Sequence, residues 1–169
     1  MDICQLIADD HAEQRRLFGL IDQLSSGDGD ALKALWSRLR ALLDTHADAE
    51  EKFFYPELLK IGRGADQESV KGETRDAIKD HNDIRDTAAK VDQHEPGSKS
   101  WFAAIDAVNK ANGDHMAEEE RQGLTDFRHH GDLALRHRLG SAFVRFESEH
   151  LTGVKPVDLD VDRYIMENS

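Results

Sequence analysis

His46-Ala-Asp-Ala-Glu50-Glu51-Lys-Phe-Phe-Tyr-Pro56 sets an imidazole and a carboxylate one helical turn apart, His46 seven residues after Leu39 and Glu50 seven after Leu43. Residues at i and i+4 share a helix face, so both side chains are expected to point with the leucines into a core. The pattern returns in His115-Met-Ala-Glu-Glu119-Glu120, with His115 seven residues after Val108. Two further histidines stand alone on apolar faces: His11 four residues after Ile7, and His81 between Ala77-Ile78 and Ile84.

The flanking apolar residues recur every three or four positions, the spacing of helices. They predict a first helix from near Asp2 to Leu24 and a turn at Ser25-Ser26-Gly27-Asp28-Gly29. A second helix is expected from near Asp30, ended by Pro56 and Gly62-Arg63-Gly64, and a third from about Gln67 to Asp92. Beyond the breaker His94-Glu95-Pro96-Gly97-Ser98, a fourth carries Trp101, Ile105, Val108 and Met116 toward Phe127. After Gly131 a fifth amphipathic helix follows (Leu135, Leu139, Ala142, Phe146), and the tail from Leu151 reads as an irregular arm across the bundle. No segment alternates as a strand would. The expected fold is all-α: an up-down-up-down four-helix bundle over residues 1–128, with a C-terminal helix and irregular tail, 129–169, packed on it.

An ionised carboxylate in a core is costly unless paired or bound to a metal. Two of them beside four imidazoles need a cation. The set also repeats: His11 to His81, His46 to His115 and Glu50 to Glu119 are each separated by about 70 residues. Two hairpins, each supplying His and then His-x-x-x-Glu, would bring two half-sites together around a pseudo-twofold, the plan of two-metal carboxylate centres in bundles. The candidate metal ligands are therefore His11, His46, Glu50, His81, His115 and Glu119.

On these residues, in Asp-Asp-His11-Ala-Glu, His46 to Pro56, Asp80-His81-Asn-Asp-Ile and His115 to Glu120, the chain resembles the hemerythrin-like (HHE cation-binding) proteins of bacterial type over about residues 1–128. The resemblance implies a bundle around a non-haem di-iron centre, two iron ions bridged by oxo or hydroxo and by carboxylate. Imidazole and carboxylate donors suit iron, manganese or zinc, whereas soft copper sites draw on Cys or Met. Oxygen-carrying members add a fifth histidine four residues from the one on the third helix; here those positions are Ala77 and Arg85. The absence of the fifth imidazole favours redox turnover over reversible oxygen carriage, with water or hydroxide in its place. Tyr55 is the second candidate for that place, as a phenolate ligand; on an ideal helix it points about half a turn away from His46, so it is read first as packed beside Phe53 and Phe54.

The remaining polar residues have plainer readings. His94, His129, His130, His137 and His150 are expected at the surface. Asp10, Asp80, Asp114, Glu51, Glu118 and Glu120 are read as outward-facing charges, Glu51 being the one placed to act behind a ligand. Cys4, the single cysteine, reads as a small core residue and excludes an intramolecular disulfide.

A chain of 169 residues fits one domain. A formal charge of −12, 34 acidic against 22 basic residues, argues against nucleic acid and anionic membranes as partners. No apolar run suits a membrane span and no signal-peptide pattern opens the chain, so a soluble cytoplasmic protein is expected. The functional expectation is reaction of the di-iron centre with small oxidants, foremost catalase-like disproportionation of hydrogen peroxide. The alternative is binding or sensing of dioxygen, nitric oxide or iron without turnover. A metal-free interaction bundle is the third reading, and the repeated ligand set opposes it.

Overall fold

The computed structural model describes residues 1–65 and 68–169. Asp2 starts helix α1 (Ile3–Asp22) by accepting a hydrogen bond from Cys4 N at 3.0 Å, satisfying an amide that has no intrahelical partner. The turn that follows is held by Asp28, whose carboxylate accepts from both the N and the Oγ of Ser25. Helix α2 (Gly29–Phe53) then runs back beside α1. Ser69 caps α4 (Val70–Val91) and Ser98 caps α5 (Lys99–Arg121), which form the second hairpin.

The departures from expectation lie where helices break. The second helix stops at Phe53 and restarts as α3 (Tyr55–Ile61), with Pro56 in its first turn, where the missing N–H costs nothing. The fourth helix stops at Arg121 and resumes as α6 (Gly123–His130). Helix α7 (Leu133–Glu149), capped by Asp132, is the expected fifth. The tail is not wholly irregular: Asp160 caps an eighth helix, α8 (Val161–Asn168). The expected start of the third helix at Gln67 falls outside the described residues. Among the described residues the chain is all-helical, and no helix is long and apolar enough to cross a membrane.

Helices α1, α2, α4 and α5 form the bundle, and their apolar residues fall into two layers. One, near the two hairpin turns, contains Phe18, Trp36, Leu39, Val91 and Trp101; the other contains Ile3, Ile7, Phe54, Phe127 and Phe143. Between the layers each helix carries buried polar residues, among them His11 and Gln14 on α1 and Asn112 and His115 on α5. Asn112 donates to Gln14 at 2.8 Å, which closes one side of this polar layer. Helix α7 packs on α1 and α2, and α8 on α4 and α3, so the C-terminal segment reaches both hairpins. Tyr164 of α8 donates to the carbonyl of Glu51 at 2.5 Å, tying the tail to the polar layer. Cys4 is fully buried as expected, and burial pushes its thiol up to about 12.

Candidate metal centre

Each bundle helix turns one imidazole into the polar layer: His11 from α1, His46 from α2, His81 from α4 and His115 from α5, none more than 4% exposed. Glu50 and Glu119 follow one turn after His46 and His115 and are as deeply buried. The sequence put all six on inward faces, and the structure brings them to one place. Glu50 sits at the centre, its Oε1 3.0 Å from His46 Nε2 and its Oε2 3.2 Å from His81 Nε2. Glu119 Oε2 lies 3.3 Å from His11 Nε2, and the Nε2 atoms of His81 and His115 face one another at 3.1 Å. Two sets of donor atoms result, His11-His46-Glu50-Glu119 and Glu50-His81-His115, each within a 4.8 Å span. Either set could hold a metal ion, and Glu50 belongs to both.

Buried polar atoms in folded proteins are almost always paired. Here five make no hydrogen bond and face only one another and His81 across the layer: His11 Nε2, His46 Nε2, both oxygens of Glu50 and Oε2 of Glu119. They converge on one volume, and imidazole nitrogen with carboxylate oxygen is the donor set of iron, manganese or zinc. The residues fit a cation. In the metal-free protein, protons carry the charge balance. Burial favours a neutral His46, but Glu50 and Asp10 outweigh it and hold its pKa well above the usual imidazole range. Burial likewise opposes ionisation of Glu50, yet His46 and His81 bring its pKa well below that of an ordinary carboxylate.

A second ring of carboxylates stands behind the imidazoles. His46 Nδ1 is 2.9 Å from Asp10 Oδ2, His81 Nδ1 2.9 Å from Glu51 Oε1, and His11 Nδ1 2.9 Å from Glu120 Oε1; His115 Nδ1 is 3.6 Å from Asp80 Oδ2. At 2.9 Å, on His46, His81 and His11, a carboxylate on Nδ1 fixes the tautomer of the neutral ring and leaves its Nε2 lone pair facing inward, while Asp80 stands farther from His115. This corrects the reading of Asp10, Asp80 and Glu120 as outward-facing charges, and places Glu51 behind the His81 imidazole. The side chain next to a ligand points about 100° away from it, and in a bundle that direction leads to the imidazole of the next helix. Each of these acids adjoins a site residue, and the pairs Asp10/Asp80 and Glu51/Glu120 obey the internal repeat; that was the available signal. Asp114 and His94 face solvent as expected.

Tyr55 also departs from expectation. It packs on Phe54, ring centroids 5.2 Å apart, but its hydroxyl donates to Glu119 Oε1 at 2.6 Å and its ring lies 5.8 Å from that of His81. The break at Phe54 is the reason, since it rotates the chain away from the ideal 100° per residue before Tyr55. Burial, with Glu119 and Glu50 nearby, pushes the phenol well above its ordinary pKa and keeps it a donor. Arg85, one of the two positions four residues from His81, donates to Glu51 at 2.8 Å. A cavity of about 20 Å³ adjoins the site, lined by Tyr55, Glu73, His115, Glu119 and Gly123 among others.

The hemerythrin HHE cation-binding domain model matches residues 2–124, a span that contains all six candidate residues and Tyr55. No curated protein and no solved structure matches the chain. A match over most of the 169 residues, on a helical bundle with a buried His/Glu layer, settles the family: the chain belongs to the hemerythrin HHE cation-binding domain family.

Proposed function

We propose that His11, His46, Glu50, His81, His115 and Glu119 hold two non-haem iron ions, and that the centre disproportionates hydrogen peroxide. The observation that carries this reading is the convergence around Glu50 of five buried donor atoms that make no hydrogen bond. Two donor sets sharing one carboxylate suit two ions rather than one. Bound iron would supply two adjacent one-electron centres and Lewis acidity. In the overall reaction one peroxide loses two electrons and two protons and becomes dioxygen; a second takes both and becomes two waters.

The chain's own groups fit that balance. Tyr55 holds a proton against Glu119 Oε1 beside the cavity, where protons must leave one peroxide and reach the other. The carboxylates on Nδ1 keep the imidazoles oriented through the cycle. A cavity of about 20 Å³ has room for a water-sized molecule, whereas pockets for organic ligands run to roughly 300–1,000 Å³. A space of that size favours peroxide and diatomic gases over organic substrates.

The test is iron content, visible spectrum and oxygen evolution on protein from iron-supplemented cells. We expect about two irons per chain, near-ultraviolet bands that respond to peroxide, and one dioxygen for every two peroxides consumed, with the spectrum restored afterwards. A reversible spectral change on dioxygen with no peroxide turnover would replace this reading by gas binding. Zinc alone, with no coloured bands, would remove the redox function.

Tyr55→Phe separates proton supply from metal binding. It keeps the packing on Phe54 and deletes the donor to Glu119, so iron content should hold while peroxide turnover falls by about 10²-fold or more, the scale of general acid–base catalysis. Unchanged turnover would show that the phenol takes no part.

A further inference from the structure

Helix α7 lies beyond the residues that the family model matches, yet it reaches the polar layer. Phe143, fully buried, meets the imidazole of His46 edge-on, with ring centroids 6.1 Å apart and planes at 84°. One turn later stands Glu147. A Glu147 carboxylate oxygen, one from Asp10 and a ring nitrogen of His46 lie within 4.8 Å of one another. The close approach of α7 is helped by Gly140, where a Cβ would stand 3.1 Å from Ile3 N.

Asp10, His46 and Glu147 do not make a third metal site. The Nδ1 of His46 is taken by Asp10 at 2.9 Å, and its Nε2 faces Glu50. The three form a relay of contacts that ends on one ring.

We propose that α7 is part of the metal centre: Glu147, through Asp10, and Phe143, by packing on the ring, hold the His46 imidazole with its Nε2 toward Glu50. The inference rests on His46 being a metal ligand. Two carboxyl groups in contact need a proton between them. Asp10 already accepts from His46 Nδ1 at 2.9 Å, so the proton between the two carboxyl groups belongs to Glu147. Glu147 is then the donor and Asp10 an anion with two donors, one of them His46 Nδ1–H, which leaves Nε2 free for a metal.

Glu147 is a positioning residue, and its variants separate position from charge. Glu147→Ala removes the donor. It should weaken ferrous iron binding at one of the two equivalents by about 10- to 100-fold, the usual cost of losing a group behind a metal-bound imidazole, and leave the other equivalent unchanged. Glu147→Gln keeps an N–H for Asp10 and should stay within about threefold of the parent protein. Glu149→Ala, on the exposed side of the same helix, should match the parent. Affinities come from anaerobic competition with a chelator, with circular dichroism reporting that the bundle is intact. A readout that needs no metal is the His46 Nδ1–H proton in nuclear magnetic resonance of the metal-free protein. It should be sharp in the parent and in Glu147→Gln, and exchange-broadened in Glu147→Ala. Parent-like iron affinity together with a parent-like His46 signal in Glu147→Ala would overturn the proposal. A parent protein that takes up no iron would overturn the metal-site reading itself, and the resonance would still decide whether Glu147 holds the ring.

Discussion

Glu50→Ala is expected to strip both metal equivalents from the protein, where any single histidine variant strips one. The reason is geometric. Its Oε1 faces His46 and its Oε2 faces His81, so it is the one side chain common to both donor sets. His115→Ala removes a donor from one set only and should retain close to one equivalent. Glu50→Ala removes an oxygen and the same negative charge from both. Groups behind the ligands are worth about 10- to 100-fold in affinity, so a direct, shared carboxylate should be worth at least about 100-fold at each position. Metal analysis after gel filtration in weak chelator would report this directly. Glu50→Gln serves as the packing control, since it keeps the shape and deletes the charge. One equivalent retained at parent affinity in Glu50→Ala would mean that Glu50 does not bridge, and two separate sites would have to replace the shared one.

The six candidate residues were legible because a helix repeats faithfully over short distances. His46/Glu50 and His115/Glu119 sit one turn apart on faces that the leucines and Val108 already mark as inward, and no tertiary knowledge is needed to pair them. The bundle followed for the same reason. What escaped lies where that regularity fails or where it leads to another helix. Extending α2 at 100° per residue through Phe54 sends Tyr55 away from His46, but the helix breaks there and the phenol swings to Glu119. On their own helices Asp10, Asp80 and Glu120 point off the core face; their partners are the imidazoles of the neighbouring helices. Helix α8, Val161-Asp-Arg-Tyr-Ile-Met-Glu-Asn, is only two turns long, too short a window for its apolar set to stand out from the tail, and contacts with α3 and α4 help hold it in place. The role of α7 was hidden more deeply. Phe143 and Glu147 are an ordinary amphipathic pair in sequence, and only the packing of α7 on α1 and α2 turns them toward His46.

The metal-free protein is expected to lose far more stability between pH 6.5 and pH 9 than the metal-loaded protein. Burial alone would favour a neutral His81, but the Glu50 and Glu51 carboxylates, 3.2 and 2.9 Å from its ring nitrogens, outweigh it and raise its pKa from 6.5 to about 9; His46 shifts the same way. A folded-state pKa above the unfolded one means that the folded chain binds the proton more tightly. The resulting stability is fully present below about pH 6.5 and is lost as the pH climbs through about 9. At 1.36 kcal/mol per pKa unit, His81 alone is worth on the order of 3 kcal/mol. For a chain of this length that is roughly 6–12 °C in melting temperature. In the loaded protein the imidazoles are neutral ligands already, and no proton leaves them in this window. Two carboxyl groups also raised by burial, Glu73 to about 7 and Glu147 to about 9, cost stability as the pH rises in either form. The diagnostic is therefore the gap between the two melting curves, which should widen steadily from pH 6 to pH 9. Chelator-treated and zinc-loaded protein give the cleanest pair, because zinc takes the same donors without redox change. A gap that stays constant across that range would show that the buried histidines are neutral in the empty bundle as well. The His46–Glu50–His81 ion pairs would then have to be withdrawn, with a proton on Glu50 as the remaining way to leave its carboxyl uncharged in the core.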